Sequence, residues 1–409
     1  MTKQKTEQIT KQPLLNIGMV GHIDHGKTTL LYKLSGKWSD THSEELKRGI
    51  TIKLGYSDVV ISKCKDCGYT AGASCKCGED STPIRHVSFV DVPGHEMLMA
   101  AMLSGSAIMD AALLVIAANE PCPRPQTKEH LVALQARGMK NIIIVQNKVD
   151  AVTKEKAMEN YKQIKEFVKG TVAEKAPIIP VSAKQGVNLS AVLEEITKLE
   201  IPKRDVKGDP IFFVARSFDI NKPGSEISKI NGGVLGGTLK QGTFKVGDEI
   251  EIKPGLSTKK HDKTIYTTLK TKILGLQAGK FKLDEASPSG SLAIQTTLDP
   301  ALTKSDNLSG CVIGKAGTLP ELSETLKLKL NLFKEIIGSE KKLEVSPIKS
   351  QEFLLLSINT TISVGRVTKV KGNEIEMSLR IPVVLIPGSK VGMARNLGGH
   401  WRLIGWGDI

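Results

Sequence analysis

A glycine-flanked stretch near the N-terminus, GHIDHGKTT, places two histidines and an aspartate just before a Lys-Thr-Thr triplet. The pattern GxxxxGK[ST] runs from Gly21 to Thr28, between a strand-like segment and a helix-like one. In such a loop, backbone N–H groups and the positive end of the helix dipole converge on phosphate oxygens. Lys27 would reach the terminal phosphates, and the Thr28 hydroxyl would bind Mg²⁺. The stretch therefore predicts a nucleotide phosphate site with its magnesium ion.

A zinc site formed by His22, Asp24 and His25 is the alternative for the same stretch. Three ligands packed into four residues of a tight loop would point in different directions, so we predict that the loop holds no zinc. Seven residues are instead expected to contact the phosphates or their metal ion: Gly21, Asp24, His25, Gly26, Lys27, Thr28 and Thr29.

A second loop, DVPGH at residues 91–95, follows the apolar segment HVSFV. Asp91 at the end of that strand would hold Mg²⁺ through water, and the Gly94 amide would meet a γ-phosphate. The loop could therefore sense whether that phosphate is present.

A third loop, NKVD at residues 147–150, closes another predicted strand, at the edge where open α/β sheets bind ligands. The Asp150 carboxylate would accept two hydrogen bonds from the N1–H and exocyclic amine of guanine, while Lys148 lies along the base and Asn147 fixes the loop. Adenine offers neither donor in that arrangement. A site built around a required hydrogen bond can reject an analogue that lacks it by roughly 10⁴-fold.

The SAK stretch, formed by Ser182, Ala183 and Lys184, ends the next predicted strand. It can offer a backbone N–H to the guanine O6. Each of these short motifs is common by chance, but in this order, each after its own strand, they predict GTP.

Four of the six cysteines lie close together, at Cys64, Cys67, Cys75 and Cys77. They belong to an insertion at residues 63–84, at the far end of a hairpin predicted from YSDVVIS and RHVSFV. Four thiolates from two short turns suit a closed tetrahedral zinc site that orders a loop with no core of its own. The CxC half departs from the commoner CxxC spacing, so a metal-free knuckle is the alternative.

From residue 16 to about residue 199, apolar segments alternate with segments of helical periodicity. Strands are expected at NIGMV, HVSFVD, AALLVIA, NIIIVQN and PIIPVSA, and helices over residues 27–35, ending near Gly36, and along the stripes at 157–168 and 189–199. Strands joined through helices run parallel, so we predict an α/β fold with a doubly wound, mostly parallel sheet.

Beyond residue 206, short runs rich in Val, Ile, Thr and Phe are punctuated by Gly and Pro, which is typical of β-barrels. We predict a nucleotide-binding domain over residues 1–206 and two β-barrel domains over residues 207–319 and 320–409.

The whole composition fits a globular protein with an anionic partner. The chain has 409 residues and a formal net charge of +14, and the excess is spread along it. Distributed positive charge suits contact with a nucleic-acid backbone. No apolar run approaches the ~18 residues of a membrane span, and the polar start lacks the apolar core of a secretory signal, so a cytoplasmic location is expected.

Together these motifs resemble those of the translational GTPases of the elongation factor Tu class. GHIDHGKTT, RGITI at residues 48–52, DVPGH, NKVD and the two trailing β-domains all match, so the resemblance covers nearly the whole chain. It implies a GTPase that is slow until triggered. The resemblance also implies catalytic roles for three residues: Thr51, which closes over Mg²⁺ and the γ-phosphate, His95, which orients the attacking water, and Asp24, which lies near the metal. Ile23 and Ile50 would form an apolar gate that holds His95 off the water. The implied magnesium ligands are Thr28, Thr51, Asp24 and Asp91.

Within that class the chain is most similar to the gamma-subunit family of archaeal and eukaryotic translation initiation factor two. The features that carry this are RGITIKLGY, the cysteine insertion before DVPGH, and the C-terminus HWRLIGWGDI. The family implies that the GTP form binds methionylated initiator tRNA and delivers it to the small ribosomal subunit, with alpha and beta subunits attached, and that hydrolysis releases it.

Two residues are candidates for tRNA contact: Tyr56 near the methionyl end and Arg216, the latter together with the glycine-rich stretch 232–237. Two other functions remain open. A selenocysteine-type elongation factor shares the switch motifs, and a GTPase subunit that regulates metabolic chemistry would share the first two domains without needing tRNA.

Overall fold

The computed structural model describes residues 11–38, 53–72, 77–93, 104–222, 224, 226–261, 263–337 and 343–409. They form two compact units. The first comprises residues 1–202 with 335–344, and the second comprises residues 203–334 with 345–409.

The first unit is built on a seven-stranded sheet of order β3-β2-β4-β1-β5-β6-β7. Five neighbouring strands, from β4 to β7 in that order, run parallel, whereas β2 is antiparallel to β4 and β3 to β2. The doubly wound, mostly parallel sheet and the predicted β2–β4 pair are thus confirmed. The strands are β1 (Leu15–Val20), β2 (Gly55–Cys64), β3 (Gly68–Ala71), β4 (Thr82–Asp91), β5 (Ala111–Ala117), β6 (Ile142–Asn147) and β7 (Ile178–Pro180).

The structure describes four helices in this unit: α1 (Lys27–Ser35) after β1, α2 (Pro125–Ala136) between β5 and β6, α3 (Lys154–Val168) between β6 and β7, and α4 (Leu189–Lys198) after β7. Every residue of β1 and β5 is buried, as expected for central strands covered on both faces. Helix α1 ends where the sequence predicts, because Gly36 adopts φ 71° and its N–H bonds back to Tyr32 O. The carboxyl ends of β1, β5, β6 and β7 therefore lie along one sheet edge.

The second unit contains two β-barrels. The first barrel joins β8 (Ile211–Phe218), β9 (Val234–Gln241), β11 (Glu249–Lys260), β12 (Lys263–Ala278), β15 (Ser291–Thr296) and β16 (Val312–Lys315), and the β11–β12 pair closes it. Three shorter strands accompany it: β10 (Phe244–Lys245), β13 (Phe281–Leu283) and β14 (Glu285–Ala286). The short helix α5 (Pro300–Thr303) precedes β16.

The second barrel is closed by pairing of its first and last strands, and its order is β17-β20-β19-β18-β21-β22. The strands are β17 (Leu322–Leu332), β18 (Phe353–Ile358), β19 (Thr361–Lys371), β20 (Glu374–Val384), β21 (Lys390–Leu397) and β22 (His400–Asp408). Each barrel has its own apolar core. The prediction of two successive β-barrels is confirmed.

The chain between the barrels, where the predicted divide at residue 319 lies, is held by two buried charged side chains of β11. Lys253 Nζ donates to Leu319 O (3.1 Å) and Pro320 O (3.2 Å), and Glu251 Oε1 accepts from Leu319 N–H (2.9 Å). None of the helices within the described ranges is long and apolar enough to span a membrane.

Candidate functional site

The phosphate loop, residues 21–28, joins β1 to α1 and folds against two neighbouring strand ends. Gly21 adopts φ 138° and Gly26 adopts φ 88°, both in the region that favours glycine. A Cβ on Gly21 would lie 2.3 Å from Val115 O, and a Cβ on Gly26 would lie 2.4 Å from Asn147 Nδ2. Both glycines are therefore required by close approach as well as by backbone conformation.

The loop's lysine and threonine point to different partners. Lys27 Nζ donates to His22 O over 2.9 Å, which holds the lysine across the loop. The Thr28 hydroxyl donates to Asp91 Oδ2 over 2.8 Å, and Asp91 is fully buried at the end of β4. The hydroxyl and carboxylate predicted to serve Mg²⁺ are thus brought together, and hard oxygen ligands are the type that this ion requires. Asp24 is exposed in the turn, at φ 62°.

The Asn147 side chain links three loops. Its Nδ2 donates to His25 O in the phosphate loop over 2.9 Å, and its Oδ1 accepts from Ala183 N–H in the SAK stretch over 3.0 Å. The side chain is 2% exposed. Both ends of one amide are therefore satisfied by backbone groups, and the predicted loop-fixing role of Asn147 acquires specific partners.

The remaining base-site residues differ in burial. Asp150 and Lys184 are exposed, whereas Ser182 and Ala183 are buried. Lys148 adopts φ 61° and begins a single 3₁₀ turn over Val149–Ala151. The side chains of Asp150 and Lys184 are thus exposed at the surface, whereas Ser182 and Ala183 are buried.

β7 is shorter than the predicted PIIPVSA strand. The ladder stops at Pro180, and Ser182 pairs instead with Val187 across the SAK turn. The Ser182 hydroxyl accepts from Gln185 N–H over 3.1 Å, which closes that turn.

The histidines of the loop are structural. His25 Nδ1 lies 3.1 Å from Val115 O, and the rings of His22 and His25 meet edge to face with centroids 5.2 Å apart. Burial, the largest cause, and neighbouring positive charges lower the pKa of each to about 4, so both are neutral near pH 7. Within the described part of the chain, the grouping that could hold a metal comprises Cys64, Cys67 and Cys77, and His22, Asp24 and His25 form no such group.

The cysteine cluster lies at the turn after β2. The sulfur atoms of Cys64, Cys67 and Cys77 lie within 4.8 Å of one another, and those of Cys64 and Cys77 are 3.6 Å apart. Zn–S bonds of about 2.3 Å in a tetrahedron place sulfurs about 3.8 Å apart, so the three thiols fit zinc. The neighbouring strand β3 is bonded to α4 through Tyr69 N–H, which donates to Ser190 Oγ over 2.9 Å.

Several predicted site residues lie outside the described residues: Thr51, Gly94, His95 and Cys75, together with Ile50 of the predicted gate. Ile23 is half-buried in the phosphate loop, and Thr29 is half-buried in the first turn of α1.

The two tRNA candidates lie in different units of the chain. Tyr56 is half-buried on β2, and Arg216 Nε donates to Asp306 Oδ1 over 2.8 Å. The glycine-rich stretch has a packing reason: a Cβ on Gly232 would lie 1.8 Å from Thr296 O, and one on Gly237 would lie 1.9 Å from Phe213 O. These glycines allow strands of the first barrel to pack closely.

Two family models match separate parts of the chain. Residues 12–202 match the model of the elongation factor Tu GTP binding domain, and residues 324–409 match that of initiation factor eIF2 gamma, C terminal. Translation initiation factor 2 subunit gamma of Pyrococcus furiosus is 54% identical over 403 residues, with 98% of each chain covered. That of Methanocaldococcus jannaschii is 52% identical over 412 residues, with both chains fully covered. The chain belongs to the translation initiation factor 2 gamma-subunit family.

Membership in this family makes the chain a GTP-hydrolysing enzyme that acts in translation initiation and binds guanine nucleotide. Solved structures add support for the fold alone. A bacterial selenocysteine-specific elongation factor is 22% identical with a TM-score of 0.75, covering 98% of this chain and 58% of that one. The elongation factor SelB of Methanococcus maripaludis is 22% identical with a TM-score of 0.70.

Two groups at the site lie outside the sequence motifs. The Val115 carbonyl of β5 bonds to His25 and faces Gly21, and His130 on α2 accepts a hydrogen bond from Gly21 N–H over 2.6 Å. A backbone carbonyl carries no sequence signal. His130 stands among buried residues of an ordinary helix, where a single histidine is indistinguishable from a core residue.

The buried histidines predict a loss of stability in acid. The pKa of His130 is lowered to about 3, and those of His22 and His25 to about 4, from the ordinary 6.5. Between about pH 6.5 and pH 4 the unfolded chain therefore binds protons that the folded chain does not, and the free energy of unfolding decreases as pH falls. In thermal melts, the stability advantage of the parent protein over His130→Asn should become smaller as pH falls through this window, because asparagine does not titrate. A stability difference between the parent protein and His130→Asn that does not change with pH would contradict the assignment.

Asn147→Ala should weaken guanine nucleotide binding strongly. The change removes two buried hydrogen bonds and leaves their backbone partners unsatisfied, at a cost of about 2–3 kcal/mol, or roughly 30–150-fold in Kd. Titration calorimetry with GDP measures this. Asn141→Ala is the matched control, because Asn141 Nδ2 donates to the exposed Glu200 O, remote from the loops, and should stay within about twofold. Equal affinities for the two variants would refute the loop-linking role.

Proposed function

We propose that the GTP-bound chain carries methionylated initiator tRNA to the small ribosomal subunit, in a cytoplasmic complex with alpha and beta subunits, and that hydrolysis releases it. The observation that carries this proposal is sequence identity above 50% to translation initiation factor 2 gamma subunits, over 98% of the chain. The C-terminal barrel also matches the model of the initiation factor eIF2 gamma C-terminus. The basic surface expected from a net charge of +14 suits an RNA partner.

Hydrolysis would rely on positioning and charge. Phosphoryl transfer requires an in-line water, a neutralising metal and donors on the γ-oxygens. Lys27 and the loop amides would bind the phosphates, and Thr28 and Asp91 would hold Mg²⁺, with Asp24 and Thr51 as further candidates. Magnesium would neutralise charge that develops on the phosphate oxygens. His95 would orient the attacking water. Ile23 and Ile50 would keep His95 away from that water until a partner triggers closure.

Guanine selection would rest on Asp150. Its exposed carboxylate follows the turn that begins at Lys148, and Asn147 holds that turn against the phosphate loop. A carboxylate accepts from both guanine donors, whereas an adenine would leave it unpaired. Because Ala183 N–H donates to Asn147, the SAK stretch contributes to the base site by bracing the loop as well as by the predicted contact with the guanine O6.

The cysteine knuckle would hold a structural zinc ion. Three thiols already fit tetrahedral spacing, and Cys75 would supply the fourth. The ion would order the knuckle, whose strand β3 is attached to the body of the domain by the Tyr69–Ser190 bond.

The other two functions receive less support. The selenocysteine-type factors share the fold at 22% identity, against 53% for the initiation factor gamma subunit of Pyrococcus horikoshii. A metabolic regulatory GTPase has no need for the C-terminal barrel that matches the initiation factor model.

Filter binding with two methionine tRNAs tests the proposal. The chain with its alpha and beta subunits should retain initiator Met-tRNA with GTP and only weakly with GDP, because the tRNA surface depends on the γ-phosphate. Elongator Met-tRNA should be retained poorly in both states. His95→Ala is the control: it should bind initiator tRNA as the parent protein does but fail to release it on the ribosome. Equal retention of the two tRNAs would refute the initiation role.

Zinc content tests the knuckle. The purified chain should hold about one zinc per molecule by mass spectrometry, because three thiols are already arranged for tetrahedral coordination. Cys77→Ser should lower that content, whereas Cys122→Ser, which lies outside the cluster, should leave it unchanged. A parent protein that remains zinc-free after purification in zinc-containing buffer would favour the metal-free knuckle.

A further inference from the structure

One polar contact of the phosphate loop comes from helix α2, outside the nucleotide motifs. Gly21 N–H donates to His130 Nδ1 over 2.6 Å, and His130 is 3% exposed. Since the donor is a backbone N–H, Nδ1 must carry its lone pair, and the ring proton must be on Nε2. The contact therefore requires a neutral imidazole in one tautomer.

The surroundings keep that imidazole neutral. Burial, followed by the positive charge of Lys27, lowers the pKa of His130 to about 3. The acceptor is therefore available throughout the physiological pH range, and the contact is a constant feature of the folded loop.

Gly21 is the residue at which such an anchor matters. At φ 138° Gly21 adopts a backbone conformation that favours glycine. Because glycine has no Cβ, the adjoining peptide planes could take several orientations. Val115 O closes one side of the residue, since a Cβ there would approach within 2.3 Å. The hydrogen bond from Gly21 N–H to His130 selects one orientation among those that remain.

We propose that His130 is a positioning residue of the phosphate loop, whose Nδ1 fixes the orientation of the loop's first peptide plane and thereby slows nucleotide release. The inference rests on nucleotide binding by this loop. Without the acceptor, the buried Gly21 N–H would lose its partner, and the loop would favour other peptide orientations in which that N–H is satisfied.

The other restraints on the loop come from different elements. His25 Nδ1 is bonded to Val115 O of β5, His25 O accepts from Asn147 at the end of β6, and Lys27 Nζ donates to His22 O within the loop. His130 adds a restraint from α2. Helix α2 thus contributes to the loop geometry without contributing a group to the nucleotide motifs.

Two substitutions separate the hydrogen bond from packing. His130→Asn places an amide oxygen near the position of Nδ1 and keeps the acceptor, whereas His130→Leu fills similar space without one. Release of a fluorescent GDP analogue, followed by stopped flow in the full chain, should be about tenfold faster for His130→Leu and within about threefold of the parent rate for His130→Asn.

Leu134→Ala, a buried position one turn further along α2, controls for general weakening of the helix. It should lower the melting temperature of the nucleotide-free protein and leave the release rate within about twofold. Similar release from His130→Leu and His130→Asn, or rapid release from Leu134→Ala, would overturn the proposal. A parent protein that fails to bind GDP at all would instead refute the nucleotide site itself.

Discussion

Three loops from distant parts of the chain meet at one carboxamide, that of Asn147. The amide nitrogen donates to a residue 122 positions earlier, and the amide oxygen accepts from one 36 positions later. Aspartate could not donate, and glutamine would place both groups too far from the backbone. The arrangement therefore requires that β1, β6 and β7 present their carboxyl ends at one sheet edge, which the parallel pairing ensures.

Close approach is the second constraint on the site. The phosphate loop fits between Val115 O and Asn147 only because Gly21 and Gly26 lack a Cβ. Burial keeps the nearby histidines neutral. Charge repulsion acts in the same direction, because two imidazolium rings 5.2 Å apart beside Lys27 would repel one another. Lys27 thus carries its positive charge in the loop beside neutral rings.

The sequence predicts the parts of this site that depend on local spacing. The glycine pattern, the NKVD and SAK motifs and the helix that ends at Gly36 place the loops correctly, because each signal lies within a few residues and follows a strand. Contacts made across the fold carry no such signal. The bond from Gly21 to His130 joins residues 109 positions apart, and the link from Tyr69 to Ser190 joins residues 121 apart. Gly232 and Gly237 also permit close packing in the first barrel, a role that the sequence alone does not indicate because it depends on residues distant in the chain.

The placement of strands also bears on self-association. Exposed strand edges are templates on which further chains can add by backbone hydrogen bonding. In the sheet of the first unit the two edge strands that the structure describes are β3, with four residues, and β7, with three. The second barrel closes on itself through β17 and β22. Within the described residues, the sheet of the first unit and the second barrel thus leave few unpaired backbone groups to which the strand of another chain could add.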